Sequence, residues 1–477
     1  GLGPVIWLLA DVLSGRVRAS AAVAGAARIG ALSLAVSMWW IVALRIQGTW
    51  GIPILRYTET YESVASASTP AEIMRGLGYW FFYGGDRLDT WVGPSLPYTD
   101  HPAVMAVGFI LAGLALLGFL APFVGRVSAV LLLVIGLAVS VGAAPLGSSS
   151  PYGALFEWFA SDTTVGLALR STPRAAPLVI LALALGAAST SEWLRMRLAQ
   201  PTPDSTGPAG RTWPAWMSSL VPIGMIGLFM VQLYPWFTGT ALTPSLLRDE
   251  ALPPHVTEFA AWLDESGDGR VWEVPASDFA NTRWGGTVDP VLPGLIDRPY
   301  LARELVPQGG AGTADLLNAF DLRIPEGWFE PETLPVIADR FAVDTVAVRN
   351  DLEHERYRLA RPGALWADVS GSLGDPAYAG PLVADQPVIP ILDERTLSRP
   401  DAVERFPVNA AFDRPTPTAA VTTATASAPI VLAGSGDGLV DVAGAGLLDP
   451  ARPVLYAATL ADLADDGELD PDAVGPD

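Results

Sequence analysis

Long apolar runs, separated by short polar connections, fill the first half of the chain. Five of these runs approach the ~20 apolar residues that a helix needs to cross about 30 Å of hydrocarbon. They are Ala22–Leu44, Ala103–Val124, Val127–Ala144, Ala176–Trp193 and Trp216–Phe237. Leu2–Leu13 has the composition of the end of a sixth. Because the backbone inside lipid must satisfy its own hydrogen bonds, we predict that all six segments are helices.

The pattern changes after Phe237, where short apolar segments alternate with turns and amphipathic stretches. Three segments predict strands and two have helical spacing, and a strand follows each predicted helix. The strands are Arg270–Val274, Asp344–Arg349 and Pro429–Gly434, and the helices are His255–Ser266 and Leu334–Ala342. The predicted fold is therefore a multi-pass α-helical membrane bundle followed by an α/β or α+β extracytoplasmic domain.

These changes in pattern also predict the domain boundaries. We expect a transmembrane domain at 1–237, with large outer loops at 48–102 and 145–175. An extracytoplasmic α/β domain at 238–412 should follow it. After that we expect a Pro- and Thr-rich linker at 413–429 and the start of a further, truncated extracytoplasmic segment at 430–477. The first residue is Gly1 rather than Met, and it lies inside an apolar run. We therefore expect a fragment whose upstream part is missing.

Composition narrows the classes of protein that fit. Of the 477 residues half are hydrophobic and only 17% are charged, which is more apolar than an ordinary soluble domain. There is no Cys, so disulfides and thiolate metal sites are excluded, and three His offer little for metal chemistry. Residues 1–237 hold 13 Arg and 11 acidic residues (+2), whereas residues 238–477 hold 16 Arg and 39 acidic residues (−23). This acidic charge argues against nucleic acid as a partner.

All 29 basic residues are Arg, and their positions predict the orientation in the membrane. Every second connection between the apolar runs contains arginines, namely Arg16, Arg18, Arg126, Arg195, Arg197 and Arg211. Short cytoplasmic loops carry an excess of positive charge. We therefore expect loops 48–102 and 145–175, together with everything after Thr238, on the outer face of the membrane.

The first outer loop contains a dense cluster of aromatic, acidic and arginine residues between Ala71 and Trp91. Thr69 is placed to cap a short helix whose first residue is Pro70, and Glu72 falls three residues after the cap as in a capping box. A cluster of this kind indicates either a ligand site or an interfacial helix that packs over the bundle.

If a helix begins at Pro70, its residues separate into two groups. Ile73, Leu77 and Tyr79–Phe82 are expected at the bilayer surface, whereas Arg75 and Asp86 are expected to face a polar cleft. In the second outer loop, Arg170 and Arg174 precede a predicted spanning helix. They are placed either to clamp an anionic lipid phosphate or to extend towards head groups.

One segment of the outer domain has the composition of a carbohydrate contact. Asp278–Pro290 contains Trp284, which can stack on a sugar ring, and Asn281, Arg283 and Asp289, which can bind hydroxyl groups. The alternative is an ordered loop that closes over the bundle with the same residues.

Several of these stretches resemble one known family. They are Leu55–Tyr83, Leu169–Gly186, Val274–Gly310, Val346–Leu352 and Gly434–Leu448. All five are similar to segments of the actinobacterial alpha-(1->3)-arabinofuranosyltransferase family, which are large C-type membrane glycosyltransferases of cell-wall arabinan synthesis. The resemblance implies a plasma-membrane enzyme that moves arabinofuranose from a decaprenyl-phosphate-arabinose-like donor to an arabinan acceptor on the outer face. No cofactor and no metal is implied.

The resemblance also defines which catalytic groups to look for. A phosphate leaving group needs no protonation, so one carboxylate acting as general base on the acceptor hydroxyl suffices. In the family this acid typically lies in the outer loop that follows the enzyme's first spanning helix. That loop would precede Gly1. Within the chain, Glu59 and Glu62 are the remaining candidates, with Asp86 and His101 behind them.

The predicted site combines these candidates with the aromatic cluster. We expect Arg75 near the donor phosphate and Tyr79 or Trp80 near the prenyl chain or the sugar. Two alternatives to an enzyme are kept. The first is a non-catalytic cell-envelope scaffold or glycan-binding protein, and the second is a transporter, which the scarcity of charge in the apolar runs disfavours.

Overall fold

The computed structural model describes most of the chain in two compact units. The described residues are 2–50, 55, 58–86, 90–147, 151–199, 215–240, 251–287, 289–304, 310–357, 359–384, 405–414, 429–449 and 452–460. The first unit comprises Gly1–Gly85 with Asp89–Pro244, and the second comprises Asp86–Leu88 with Ser245–Asp477. Arg211, most of the predicted linker and the acidic C-terminal end lie outside the described residues.

The first unit is helical. Its helices are α1 (Leu2–Leu13), α2 (Ala19–Trp50), α3 (Tyr61–Ala67), α4 (Pro70–Met74), α5 (Ser95–Asp100), α6 (Pro102–Gly118), α7 (Arg126–Val141), α8 (Pro151–Asp162), α9 (Thr164–Leu169), α10 (Ala176–Ala199), α11 (Ala215–Gln232) and α12 (Tyr234–Phe237). Short 3₁₀ turns occupy Trp80–Tyr83 and Thr172–Ala175. A helix is present at each of the six predicted apolar runs, so that prediction is confirmed.

Two helical segments in the described part of the chain are long and apolar enough to cross a membrane. They are Ala19–Gly48 and Thr172–Ala199. Four shorter apolar helices accompany them, at Leu2–Leu13, Pro102–Gly118, Arg126–Val141 and Trp216–Gln232. The last of these contains Pro222 in its interior, which packed membrane helices tolerate more readily than soluble ones.

Helix α10 is at the centre of the first unit and packs against α6, α7 and α11. Small residues allow α6 and α10 to approach each other closely. A Cβ at Gly118 would lie 1.8 Å from the carbonyl oxygen of Gly186, and a Cβ at Gly186 would lie 2.2 Å from the carbonyl oxygen of Ala115. Thr190 donates its hydroxyl to the carbonyl of Leu114 across the same interface. Close backbone contact and a side-chain hydrogen bond are typical of helix pairs in membranes.

Helix α4 begins as the sequence predicts. Thr69 is the N-cap, its hydroxyl accepts from the Glu72 amide at 3.4 Å, and Pro70 is the first helical residue. The expected position of Ile73 at the bilayer surface is wrong, because its side chain is fully buried. Ile73 packs with Val179 and Leu183 of α10, so α4 is anchored in the helical core rather than lying over it.

The second unit mixes helices and strands. In chain order they are α13 (Pro254–Ser266), β1 (Arg270–Val274), β2 (Asn281–Thr282), β3 (Gly285–Gly286), β4 (Tyr300–Leu301), α14 (Ala311–Asp321), α15 (Arg323–Glu326), α16 (Thr333–Arg340), β5 (Val343–Arg349), α17 (His354–Tyr357), α18 (Pro362–Leu373), β6 (Tyr378–Ala379), β7 (Leu382–Ala384), β8 (Arg405–Pro407), β9 (Asn409–Asp413), β10 (Ile430–Leu432), α19 (Gly436–Gly444) and β11 (Val454–Tyr456). The predicted strands are found as β1, β5 and β10, and the predicted helices as α13 and α16.

The central sheet has five strands in the order β4-β1-β5-β9-β6. Strands β4 and β5 run parallel to β1, whereas β9 is antiparallel to both β5 and β6. Helices cover both faces of the sheet. One face, with Trp272 and Val346, packs against α14, α16, α18 and α19, and the opposite face, with Val271, packs against Phe259 and Leu263 of α13. This layering follows from the alternation of side chains along each strand.

The described part of 430–477 belongs to the core of the second unit. Leu432, Leu439, Val440 and Ala443 are buried in the same hydrophobic cluster as the central sheet. Backbone contact with α14 is close, since a Cβ at Gly436 would lie 2.6 Å from the Cα of Leu316. From the sequence, these residues were expected to begin a further segment, because the Pro- and Thr-rich composition of 413–429 is typical of a linker. Composition does not show whether the residues after a linker pack back onto the preceding domain.

Candidate functional site

The aromatic and acidic cluster that follows α3 forms the wall of an open cleft. The cleft has a volume of about 480 Å³ and is lined by Ser63, Ser66, Ala67, Thr69, Glu72, Trp80, Tyr83, Gly84 and Trp91. Helix α3 contributes Ser63 and Ser66, the α4 cap contributes Thr69 and Glu72, and the turn Trp80–Tyr83 contributes most of the aromatic side. The volume lies within the range of about 300–1,000 Å³ usual for small-molecule sites.

Tryptophans form the aromatic wall of this cleft. Trp80 and Trp91 meet edge to face, with ring centroids 5.9 Å apart, and Phe81 stacks against Trp91 at 5.1 Å. The Trp91 ring lies directly on the backbone of Gly84, where a Cβ would be 2.0 Å from Trp91 Cε3. Only glycine fits at position 84 with the ring in this place.

Glu72 presents the carboxylate of the cleft, and both of its oxygens have partners in the protein. Its Oε1 accepts from Arg75 Nη1 at 2.8 Å, and its Oε2 accepts from the Tyr83 hydroxyl at 2.6 Å. The Tyr83 oxygen in turn accepts from the Gly78 amide at 3.1 Å. Burial, with the hydrogen bond to Glu72, raises the pKa of Tyr83, so its hydroxyl remains a donor. These contacts fix the orientation of the carboxylate.

Arg75 lies behind Glu72 and away from solvent. Its side chain is 3% exposed, and its Nη2 donates to the carbonyl of Tyr98 at 2.6 Å. The guanidinium stacks over the Phe109 ring at 5.0 Å, and its Nε faces Gly108, where the missing side chain leaves room. From the sequence, Arg75 was expected to face a polar cleft. Instead both terminal nitrogens bind groups of the protein, so Arg75 positions Glu72.

Glu59 and Trp80, predicted separately, are in direct contact. The Trp80 indole nitrogen donates to Glu59 Oε2 at 2.5 Å. The residue before Glu59 is also held, because Arg170 Nη2 donates to the Thr58 hydroxyl at 2.5 Å and the Arg170 side chain is buried. Arg174 is exposed, so the two arginines predicted as a clamp have different environments. The first positions the Glu59 segment, and the second faces outward.

The remaining candidates of the first unit lie at the edge of this arrangement. Glu62 is exposed and is absent from the lining of the cleft, and Tyr79 is 39% exposed beside Trp80. Burial alone would raise the pKa of Glu62, but hydrogen bonds from Thr60, from its own backbone and from Tyr61 together leave its pKa below the usual range. His101 lines a second open cleft of about 540 Å³, together with Leu96, Pro97, Asp100, Val104 and Tyr234.

Sequence reasoning missed three contributors to the cleft, namely Tyr83, Trp91 and the carboxylate role of Glu72. Glu72 was assigned only to a capping box, yet its side chain turns towards Arg75 and Tyr83. The spacing of Glu72 and Arg75 by three residues on a helix was a usable signal for the ion pair. No local pattern indicates the partner of Trp91, since the contact depends on a turn that brings Gly84 against the ring.

In the second unit, Trp284 takes part in a buried network of charges. Its indole nitrogen donates to Asp351 Oδ2 at 2.8 Å, and Arg349 binds both oxygens of the same carboxylate at 2.7 and 2.9 Å. Burial alone would raise the pKa of Asp351, but the Arg349 guanidinium, with the nearby His255 ring and the hydrogen bond from Trp284, holds it well below its usual range. The hairpin β2–β3 that carries Trp284 is thereby fixed to the end of β5, and the polar atom of Trp284 is already bound.

Asp86 is grouped with the second unit rather than with Arg75. Its carboxylate pairs with Arg356 Nη1 at 2.6 Å, and Arg356 also binds Glu353 at 2.8 Å. The expected shared polar cleft of Arg75 and Asp86 is therefore wrong. In the part of the chain that the structure describes, no group of three or more His, Asp or Glu is arranged to hold a metal ion.

Comparison with known proteins decides the family. A family model described as alpha-(1->3)-arabinofuranosyltransferase, N-terminal GT-C domain, matches residues 2–473. The chain belongs to this family. Its helices and its family membership make it part of a membrane protein. The resemblance noted in the sequence is thereby confirmed.

Two relatives carry the name alpha-(1->3)-arabinofuranosyltransferase. The protein of Mycolicibacterium smegmatis is 31% identical over 383 residues, covering 75% of this chain and 26% of the relative. The protein of Mycobacterium tuberculosis is 27% identical over 399 residues, covering 80% of this chain and 27% of the relative. The chain thus spans about a quarter of the length of the relatives that it matches.

Two cryo-EM structures of the arabinofuranosyltransferase AftD from mycobacteria share the fold. One, of a mutant, matches with a TM-score of 0.61 at 20% identity over 92% of this chain and 29% of that chain. The other matches with a TM-score of 0.58 at 19% identity over 91% of this chain and 28% of that chain. The alpha-(1->3)-arabinofuranosyltransferase family therefore supplies both the sequence relatives and the fold of this chain.

Proposed function

We propose that this chain is part of a membrane enzyme that transfers arabinofuranose to cell-wall arabinan. The observation that carries the proposal is the match of residues 2–473 to the alpha-(1->3)-arabinofuranosyltransferase family, whose relatives bear the name of that activity. Because the chain spans about a quarter of those relatives, the transfer is proposed for the complete protein. The donor in this proposal is a decaprenyl-phosphate-linked arabinofuranose.

The chemistry of that donor is consistent with the residues of the cleft. The phosphate leaves without a proton, so the reaction requires a carboxylate to take the proton of the attacking acceptor hydroxyl. We propose Glu59 as a candidate for contact with the reacting sugars, because it lies beside the cleft and is oriented by the Trp80 indole. Tyr79 and Trp80 then supply aromatic surface for a sugar or a prenyl chain.

We also propose a multi-pass arrangement with the first outer loop and the second unit on the outer face. Six apolar helices support it, as do the arginines of the short connections, namely Arg16, Arg18, Arg126, Arg195 and Arg197. A lipid-linked sugar presented on the outer leaflet would then lie on the same side of the membrane as the cleft. The Arg174 side chain, exposed just before α10, is placed in this arrangement to meet lipid head groups.

Transfer by the complete protein tests the reaction. Purified protein in lipid nanodiscs is given decaprenyl-phosphoryl arabinofuranose, labelled in the sugar, and an arabinan oligosaccharide. We expect label in a product one residue longer than the acceptor. The proposal would be contradicted by a protein that leaves the acceptor unextended although its thermal unfolding transition shows that it is folded.

Cysteine labelling tests the orientation, and this chain contributes no native Cys to the background. In intact cells, a membrane-impermeant maleimide should label Ser66→Cys and Asp297→Cys, which replace exposed residues of the two units. Arg126→Cys and Arg195→Cys, also at exposed positions, should be labelled only after the membrane is opened. The reverse pattern would place the cleft in the cytoplasm and exclude the proposed donor route.

A further inference from the structure

The residues that line the cleft of the first outer loop favour a neutral sugar over a phosphate group as the ligand. Of the residues described as lining it, none is basic; they supply hydroxyl groups, one carboxylate and aromatic rings. A phosphate group needs cationic or multiple amide donors. A neutral sugar instead needs an apolar surface for its ring face and acceptors for its hydroxyl groups.

Among the described residues, the arginine that pairs with Glu72 does not change this balance. Arg75 is 3% exposed and donates to Glu72 and to the Tyr98 carbonyl, with its plane over Phe109. Turning it towards a phosphate in the cleft would leave the Glu72 carboxylate and the Tyr98 carbonyl without these donors. Buried polar groups left without partners cost more than an ordinary hydrogen bond returns.

Glu72, by contrast, has acceptor capacity to spare. A carboxylate offers about four lone-pair positions. Arg75 and Tyr83 each occupy one of them, one on each oxygen. Because both oxygens are held from inside the protein, a sugar hydroxyl that enters the cleft meets an acceptor already fixed in orientation. Pre-set acceptors bind with less loss of side-chain entropy.

We propose that this cleft binds one neutral sugar residue of the glycan acceptor, with Trp80 as the stacking ring, Trp91 as the ring that supports it edge to face, and Glu72 as the hydroxyl acceptor. The proposal rests on the proposed function for the identity of the glycan, and on the described residues for its chemical class. It assigns the phosphate of the donor to a place outside this cleft. Arg75 is a positioning residue that orients Glu72.

The test is binding of a linear oligosaccharide of α-linked arabinofuranose to the complete protein in nanodiscs, followed by saturation-transfer NMR. We expect saturable binding that weakens at least about tenfold in Trp91→Ala, which removes the ring that supports Trp80, and in Ser66→Trp, which fills the cleft from the exposed side of α3. The matched control, Trp193→Ala, changes an exposed tryptophan of α10 outside the cleft and should leave binding within about twofold.

Competition separates the sugar from the phosphate. Inorganic phosphate and decaprenyl phosphate, added in turn, should leave the oligosaccharide signals of the unaltered protein in place. The proposal is overturned if either phosphate displaces the oligosaccharide, or if both cleft variants bind it as the unaltered protein does. Thermal unfolding midpoints confirm that each variant is folded, and Trp91→Phe, which keeps a ring, should retain binding.

Failure of this proposal and failure of the proposed function give different results. If the cleft variants lose oligosaccharide binding while the unaltered protein shows no transfer, the cleft assignment stands and the reaction is wrong. If transfer proceeds and the cleft variants bind the oligosaccharide normally, the reaction stands and the cleft assignment is wrong.

Discussion

The Trp80 indole nitrogen lies 2.5 Å from a carboxylate oxygen of Glu59, and this hydrogen bond joins the segment before α3 to the aromatic wall of the cleft. The position of Glu59 therefore depends on a residue 21 positions away in the sequence. Arg170 secures the same segment from the other side through Thr58. We therefore expect Glu59 and Trp80 to act as one unit.

Trp80→Phe keeps an aromatic ring but removes the N–H that orients Glu59. Hydrogen bonds to charged groups contribute about 1.5–3 kcal/mol, so we expect transfer by the complete protein to fall about tenfold or more. Glu59→Ala should fall at least as far, and the double variant should fall no further than Glu59→Ala. The rates of the two single variants and the double variant measure this coupling. Additive effects would show that the two residues act independently.

Arg75→Lys tests whether orienting Glu72 requires a guanidinium, whose two terminal nitrogens bind Glu72 and the Tyr98 carbonyl at once. A lysine ammonium is a point charge and lacks the geometry to bind Glu72 and the Tyr98 carbonyl together while stacking on Phe109. We expect a loss of about 1–3 kcal/mol in the unfolding free energy of the first unit, seen as a lower thermal midpoint in detergent. The matched control is Arg174→Lys at an exposed position, expected to change stability by less than about 0.5 kcal/mol. Equal midpoints for both variants would remove the positioning role.

Gly118→Leu tests the contact between α6 and α10. Any Cβ at Gly118 would lie 1.8 Å from the Gly186 carbonyl oxygen, so the two helices have to separate. We expect little folded protein in the monodisperse peak of fluorescence-detected size-exclusion chromatography. Gly113→Leu on the same helix is the control, because nothing lies within 4 Å of a Cβ there. A normal peak for Gly118→Leu would mean that the crossing is wider than described.

Asp351→Asn tests the buried charge pair of the second unit. It leaves Arg349 without its bidentate partner, and breaking such a pair costs about 3–5 kcal/mol. We expect a clearly lower thermal midpoint at pH 7, whereas Asp297→Asn at an exposed position should match the unaltered protein.

The same variant has a defined pH dependence. The folded-state pKa of Asp351 is depressed, so its ionised form stabilises the folded state above the unfolded-state pKa of about 3.9. That contribution is lost as the pH falls towards the folded-state pKa. The difference between Asp351→Asn and the unaltered protein should therefore be constant from pH 7 to pH 5 and should narrow below about pH 4. A difference that widens on acidification would contradict the assigned shift.

Much of the fold was predictable because it depends on local periodicity. The apolar runs became α1, α2, α6, α7, α10 and α11, and the short alternating segments became β1, β5 and β10. Each of these elements is specified by its own residues. The Thr69 cap was predictable for the same reason, since capping acts within one helical turn.

The candidate site was less predictable because its contacts connect distant positions. Arg75 and Asp86 were expected together, yet Arg75 binds Glu72 and Tyr98, whereas the partner of Asp86 is Arg356, 270 positions away. A charged residue in a sequence shows that a partner is needed but does not indicate which one. Ile73 was misplaced for a similar reason, because an apolar residue is equally suited to lipid and to a helical core.

The packing of β10 and α19 into the core of the second unit has a practical consequence for protein production. Leu432, Leu439 and Val440 fill the same core as the central sheet. A recombinant fragment that stops at Asp413 would uncover that surface and lose the helix that covers α14, so it should precipitate or be captured by chaperones. Expression boundaries for this region should therefore extend past Tyr456, the last residue of β11.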